Sequence, residues 1–530
     1  MGPPTDTARV AEGDGSGFAL QAARGTGWST LKGIVNKGAT AVGVIVAARF
    51  LDPSDYGASA LVLGVCSLVV LLPPLVMCDV FIARAARAGA ASAAAGRMVT
   101  LTALASSAAI AAAIPVVAWL YPSFPRGTVI GLMLVFALRP VLDALSVAPV
   151  SVMRIGLRFR ALAVIDGGSQ LFATAAMIAM AVGGAGAYAL VVPQTAAAML
   201  RLAAYVVDLR RARAADAPAA DDGPVTAAER AGIFREFALA ALAQHAHTLI
   251  GYLPILMLGK LAGEEETGIY TFAFYLSAQA TFLVSHQVGA VLQPIFARLA
   301  DDPVRQGTAF LRSIAVVGAV AVPASLLQAA LAEPILLVFF GDRWAGAVGS
   351  YAALSVGQAF FFAVAPAMAL LRGQGRFRTL LLWQFAQLAA SAGLYAAVAS
   401  RGSTAVALVD TLVWAIAVPL ASRVCLRGKS TPGPGILSAF AAPWLTALPV
   451  SLAAWGAWLW LRQFGMVGAW SCVLGVGPVA GIGTLLLIRV SQPAAYADLR
   501  PLVARIRRSA GAFVARVLSR GASGGPGGGR

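Results

Sequence analysis

The sequence predicts an all-α polytopic membrane protein, and three observations carry that prediction. Hydrophobic residues make up 59% of the 530-residue chain and charged residues only 12%, a balance far too apolar for a soluble globular fold. Apolar runs as long as a bilayer crossing recur along almost the whole chain, among them 58–78 (ASALVLGVCSLVVLLPPLVMC), 161–182 and 237–259. Basic residues concentrate in alternate loops. A membrane β-barrel would instead show alternation in segments of about ten residues, which is absent.

Taken in order, about fourteen spans are expected, near 28–50, 58–79, 97–120, 127–149, 161–182, 186–208, 237–259, 268–292, 310–332, 347–371, 379–399, 403–424, 437–460 and 465–488. They divide the chain into a cytoplasmic N-terminal tail (1–27), an N-lobe of helices 1–6 (28–208) and a cytoplasmic inter-lobe linker (209–236). A C-lobe of helices 7–12 (237–424), helices 13–14 (425–489) and a basic, Gly-rich cytoplasmic tail (490–530) complete it. The linker centres on DAPAADDGPVT, whose Pro, Ala and Asp content is that of a connecting segment.

Orientation follows from the basic residues. With the N-terminus in the cytoplasm, tails and inner loops hold 31 Lys and Arg, outer loops hold six, and Lys37, Arg139 and Arg201 lie inside helices. The net charge of +17 is therefore mostly a topology signal, with attraction to anionic lipid a by-product, and no nucleic-acid partner is expected. Cys66, Cys78, Cys425 and Cys472 form no CxxC pair, so neither a disulfide framework nor a metal site follows. Residues 1–26 are polar and Gly-rich, which argues against a cleavable signal peptide.

An internal repeat supports the two lobes. Arg49 precedes Gly57 across an acidic turn (RFLDPSDYG), and Lys260 precedes Gly268 across another (KLAGEEETG), at an offset of 211. RIGLRFR from Arg154 matches RGQGRFR from Arg372 at an offset of 218. Six helices separate equivalent points, so the lobes share one orientation. Such parallel repeats are related by an axis along the membrane normal, with the binding site between them.

The motifs resemble a known family. AARFLDPSDYG, RIGLRFRALAVIDGGSQ with GGAGAYALVVPQ, TGIYTFAFYLSAQ with VLQPIFARLADDP, and ILLVFFGDRWAGA with LLRGQGRFRTLLL occur in that order from about residue 28 to 424. They are similar to the Wzx-type lipid-linked oligosaccharide flippases, of the superfamily that includes MATE-type multidrug exporters and the lipid II flippase. The resemblance implies two six-helix lobes, often with two extra C-terminal helices, and alternating access of a central cavity. The implied cargo is an undecaprenyl-diphosphate-linked repeat unit for exopolysaccharide or O-antigen synthesis at the bacterial inner membrane. Membrane lipids, a polysaccharide polymerase and export machinery are the implied partners, and no cofactor is expected. One departure is plain: the Asp such proteins often carry in helix 7 before an LLG-like turn is missing from GYLPILMLGKLAG, where Tyr252 and Pro254 stand.

Charges at membrane depth are the site candidates, because burying them is costly unless they face water or a partner. Only 11 uncharged residues separate Lys37 from Arg49, about 17 Å of helix and barely half of a hydrocarbon core. Lys37, with Asn36 and Lys32 beside it, suits a cationic wall that meets a diphosphate; the alternative is pairing with an acid that only orients helix 1. Arg139 and Asp143 are four residues apart and share a face, as a structural pair or as a phosphate site with its own counter-ion. His245, His247 and His286, with Asp143 and Asp410, are candidates for ion coupling, set against histidines hydrogen-bonded between helices. Gln170, Gln194, Gln358, Gln384 and Gln387 suit either a sugar-lining wall or, the favoured reading, interhelical bonding.

Other motifs carry nothing. RGKST at 427–431 lacks the first Gly of a P-loop, and GAGAYA at 184–189 lacks a βαβ context. The expected function is flipping of a lipid-linked oligosaccharide, with an ion-coupled multidrug exporter of the same architecture as the alternative. An intramembrane enzyme would need an acid–base pair on a sizeable outer loop, and the outer loops are short.

Overall fold

The computed structural model describes residues 36, 38–70, 89–155, 158–213, 242, 245–246, 248–427, 435–493 and 495–498. Among these residues every regular element is helical. In chain order the first seven are α1 (Gly38–Ala47), α2 (Pro53–Val69), α3 (Gly89–Leu120), α4 (Arg126–Ala137), α5 (Arg139–Ile155), α6 (Phe159–Val182) and α7 (Tyr188–Arg213). Next come α8 (Thr248–Leu261), α9 (Glu264–Arg298), α10 (Pro303–Ala330), α11 (Ala332–Phe339), α12 (Val348–Phe361), α13 (Val364–Gly373) and α14 (Phe377–Val398). The last are α15 (Ser403–Cys425), α16 (Ile436–Leu461), α17 (Gly465–Ser471) and α18 (Gly477–Ser491). Nine stretches of the described residues are long and apolar enough to cross a membrane, and α1, α2 and α8 are shorter apolar helices. The chain is a multi-pass membrane protein.

Local chemistry sets the helix starts. Asp52 and Pro53 open α2, with the Asp52 amide donating to the Asp55 carboxylate at 3.1 Å. Asp302 and Pro303 open α10 with the reciprocal bond, the Asp302 carboxylate accepting from the Arg305 amide at 3.0 Å. Prolines inside α3, α5, α7, α10, α15 and α16 are of the kind membrane helices tolerate, because neighbouring groups take up the freed backbone. Leu408, Leu412, Ile416 and Leu420 stand at four-residue intervals along α15, each at least 47% exposed. An apolar stripe left open in this way faces lipid.

The chain forms two compact units. Unit 1 comprises Met1–Phe272, Phe339–Ala347 and Gln384–Val406; unit 2 comprises Ala273–Val338, Val348–Trp383 and Ala407–Arg530. In unit 1, Leu61, Ile110, Leu132, Met133 and Val191 from α2, α3, α4 and α7 form a buried core. In unit 2, Phe310, Ile314, Phe362, Leu370 and Phe440 do so from α10, α12–α13 and α16. Lipid offers no hydrophobic penalty to drive helices together, so close backbone approach between small residues takes over. Gly318 shows it: a Cβ there would lie 2.8 Å from Phe362 and 3.0 Å from Pro443.

The repeat reappears as reciprocal contacts within unit 1. The matched glycines, Gly57 and Gly268, face each other where α2 crosses α9; a Cβ on Gly268 would lie 2.9 Å from the Gly57 nitrogen, and one on Gly57 would lie 3.2 Å from the Gly268 nitrogen. Arg49 donates through Nε to the Phe339 carbonyl at 2.9 Å, and its counterpart Lys260 donates through Nζ to the Leu120 carbonyl at 2.7 Å. Leu120 and Phe339 are themselves 219 residues apart and stand at the ends of α3 and α11. Each cation thus satisfies a helix-terminal carbonyl, where the dipole favours positive charge. The Trp344 indole donates to the Ala48 carbonyl at 2.8 Å and stacks on Phe272 with ring centroids 3.8 Å apart. Arg343 pairs with Asp52 at 3.2 Å.

Candidate functional site

Three of the charges at depth, Arg139, Asp143 and Arg201, gather on α5 and α7 of unit 1. Arg139 and Asp143 occupy one face of α5 and pair at 3.5 Å between Nε and Oδ2. The spacing of four residues brings them together, as an α-helix requires. From α7, Arg201 reaches the other carboxylate oxygen at 3.7 Å. Asp143 therefore bridges two guanidiniums, and the trio carries a net positive charge. All three side chains are 20–30% exposed, and they lie well inside the stretches Arg126–Arg154 and Tyr188–Arg210 that are apolar enough to span a membrane. The Arg139 guanidinium also lies 5.7 Å from the centre of the Phe136 ring, within cation–π range. Each guanidinium presents five N–H donors in a planar fork, more than one shared carboxylate absorbs.

A polar track continues along α7. Arg201, Tyr205 and Asp208 are spaced four and then three residues apart and share a face. The Tyr205 hydroxyl donates to Asp166 of α6. Asp208 accepts from Arg158 at 2.9 Å. Both partners come from the RIGLRFRALAVID segment, so the second inner-loop motif anchors α6 to α7. Its repeat equivalent in unit 2 makes the corresponding contact: Arg376 donates to the Val424 carbonyl of α15 at 3.3 Å, and to Gln374 at 3.3 Å.

Lys32, Lys37 and His247 are outside the described residues, and for His286 only its place on α9 is described. Asn36 is half-buried, and its side-chain oxygen is buried without a hydrogen-bond partner, 3.8 Å from where a Cβ on Gly167 would stand. His245 lies 2.8 Å through Nε2 from the Val70 carbonyl at the end of α2. Asp410, 6% exposed, lies on α15 in unit 2. Arg201 is the addition that the sequence did not pair. Its position inside helix 6 was visible, but a partnership between two helices has no spacing to reveal it.

The comparisons with known proteins agree with this architecture. The profile of a family described as polysaccharide biosynthesis protein matches residues 46–349. A relative, the succinoglycan biosynthesis transport protein ExoT of Rhizobium meliloti (strain 1021), is 28% identical over 204 residues, 38% of this chain and 40% of its own length. The match thus spans about two fifths of that relative. The lipid II flippase MurJ, in an inward closed conformation, superposes with a TM-score of 0.65 at 11% identity, covering 91% of this chain and all of its own. An inward-facing multidrug resistance transporter of the MATE family superposes with a TM-score of 0.55 at 13% identity, covering 74% of this chain and 94% of its own. These two likenesses establish a shared fold. With more than half of its length matched by one family profile, this multi-pass membrane chain belongs to the polysaccharide biosynthesis protein family.

Proposed function

We propose that the chain flips undecaprenyl-diphosphate-linked oligosaccharide repeat units across the bacterial inner membrane by alternating access, with both termini in the cytoplasm. The observation that carries this reading is the Arg139–Asp143–Arg201 cluster, a net-positive group held at depth on two spans. A diphosphate has the charge and the oxygen geometry that two guanidinium forks recognise. Asp143 serves as the resident anion. It holds both arginines while the site is empty, yields them to the diphosphate oxygens, and takes them back on release. Without it, two uncompensated cations would hold the cargo and slow its exit.

Lys37, Lys32 and Asn36 extend this cationic wall in the same reading, on the strength of their sequence positions. Asp143, His245, His247, His286 and Asp410 are its titratable groups for coupling to an ion gradient. A polysaccharide polymerase and export machinery would take up the flipped product.

The rival is a multidrug exporter, whose fold the chain shares. A net-positive cluster repels the cationic compounds such an exporter would bind, which favours the anionic lipid. Competition binding on the purified protein decides between them. Undecaprenyl diphosphate should bind saturably, and undecaprenol and ethidium should fail to displace it. Saturable ethidium binding that the diphosphate lipid leaves unchanged would sink the reading.

A further inference from the structure

Helix α14 carries a polar feature unlike the charged cluster in chemistry. Gln384, Gln387 and Ser391 lie at i, i+3 and i+7, within a narrow arc of the helix. Gln384 is 7% and Ser391 1% exposed, whereas Leu382 and Phe385 on the far side are 61% and 45% exposed. The helix thus shows apolar side chains on its open face and hides a polar row. Tyr395, one further turn along and 2% exposed, extends the row.

The row has buried atoms without partners. Gln384 Oε1, Gln387 Nε2 and Ser391 Oγ are each buried and make no hydrogen bond. Interhelical bonding, the usual role of Gln in a membrane helix, would need a partner for each of these atoms. Buried polar atoms are almost always paired, so a run of three unpaired ones on one face calls for a reason. One conformation of an alternating-access protein supplies it. Groups sealed in this state meet water or cargo in another, and the unmade bonds here favour the switch.

The chemistry of the row identifies what it meets. It contains no charge, so it holds a diphosphate or a coupling ion far less strongly than the charged cluster does. Amide and hydroxyl groups both donate and accept, which matches the hydroxyls of a sugar, and the Tyr395 ring supplies an apolar face of the kind sugars present. We infer that Gln384, Gln387 and Ser391 form the glycan-contacting wall of the transporter, reading the oligosaccharide while the arginines on α5 and α7 hold the diphosphate. This rests on the proposed flipping of a lipid-linked oligosaccharide.

The test compares two lipids in proteoliposomes: undecaprenyl diphosphate bearing one N-acetylhexosamine, and the same lipid bearing a longer neutral oligosaccharide. The triple variant Gln384→Met, Gln387→Met, Ser391→Ala should slow transfer of the long-glycan lipid at least tenfold and that of the single-sugar lipid less than twofold. Equal losses on both lipids, or no loss on either, would overturn the wall. Failure of the wild type to move either lipid would remove the parent reading, and the wall with it, and is distinguishable from the other two outcomes. A second readout does not depend on transport. Ser391→Cys, in a protein whose four native cysteines are replaced by alanine, should react with a water-soluble maleimide. Saturating long-glycan lipid should slow the labelling at least threefold, and undecaprenyl diphosphate alone should not. No labelling, or labelling that the glycan leaves unchanged, contradicts the proposal.

Discussion

Asp143 stands between two arginines at 3.5 and 3.7 Å, and the role proposed for it differs from that of a structural ion pair. A pair that only holds helices together is weakened by any neutralising change. A resident anion that competes with cargo gives the opposite sign for binding. Asp143→Asn should therefore bind undecaprenyl diphosphate several-fold more tightly and release it more slowly, which binding titration and single-turnover transfer would separate. Arg201→Ala removes one fork; losing charge-assisted bonds of about 1.5–3 kcal/mol should weaken the same binding roughly tenfold or more. Unchanged affinity in both variants would place the cluster outside the transport path.

Glu264 gives a residue-scale prediction in pH. Burial first, then the neighbouring Asp55 and Glu265 carboxylates, raise its pKa above the ordinary glutamate value. Its Oε2 is buried without a hydrogen-bond partner. The folded protein therefore holds this proton more tightly than the unfolded chain. The resulting stabilisation is complete below the ordinary value and is lost as pH rises through the raised one. Melting of the purified protein followed across that range should show this loss, and Glu264→Gln should flatten it. A profile identical in the variant would remove Glu264 as its source.

At the scale of elements, the crossing of α2 and α9 has no slack. A Cβ on Gly268 would meet the Pro53 carbonyl and the Gly57 nitrogen, and backbone atoms cannot move aside as a flexible side chain can. Gly268→Ala should cost at least the ~1–3 kcal/mol typical of overpacking and lower the melting temperature accordingly. Gly38→Ala is the control, since nothing lies within 4 Å of its added methyl. Equal stability of the two variants would contradict the crossing.

This crossing also shows what sequence can and cannot carry. Gly57 and Gly268 were matched as repeat equivalents because loop chemistry around them is alike, with a cation eight residues before and acids between. That they touch each other was not legible, because a linear offset does not say where a symmetry axis runs. The all-helical, multi-pass character was legible because lipid imposes the length and composition of a span, and nine such stretches stand among the described residues. Arg139 and Asp143 were legible as neighbours from helical spacing. Arg201, the Tyr205–Asp166 bond and the Arg158–Asp208 pair were not, since each joins two helices whose relative rotation is fixed by packing.

At the scale of the whole molecule, the repeat is written twice in contacts as well as in sequence. Arg49 and Lys260 cap carbonyls at equivalent helix ends; Arg158 and Arg376 reach equivalent ends of α7 and α15. The repeat read from the sequence is the feature that the proposed alternating access rests on. In the proposed function the cationic cluster sets the sign of the cargo. The measurement that tests this account most directly is transfer of a fluorescent undecaprenyl-diphosphate oligosaccharide across proteoliposomes, with wild type beside Arg139→Ala/Arg201→Ala. The account predicts transfer by the wild type and at least a tenfold loss in the folded double variant. Equal transfer by both proteins, or none by the wild type under any ion gradient, would contradict it.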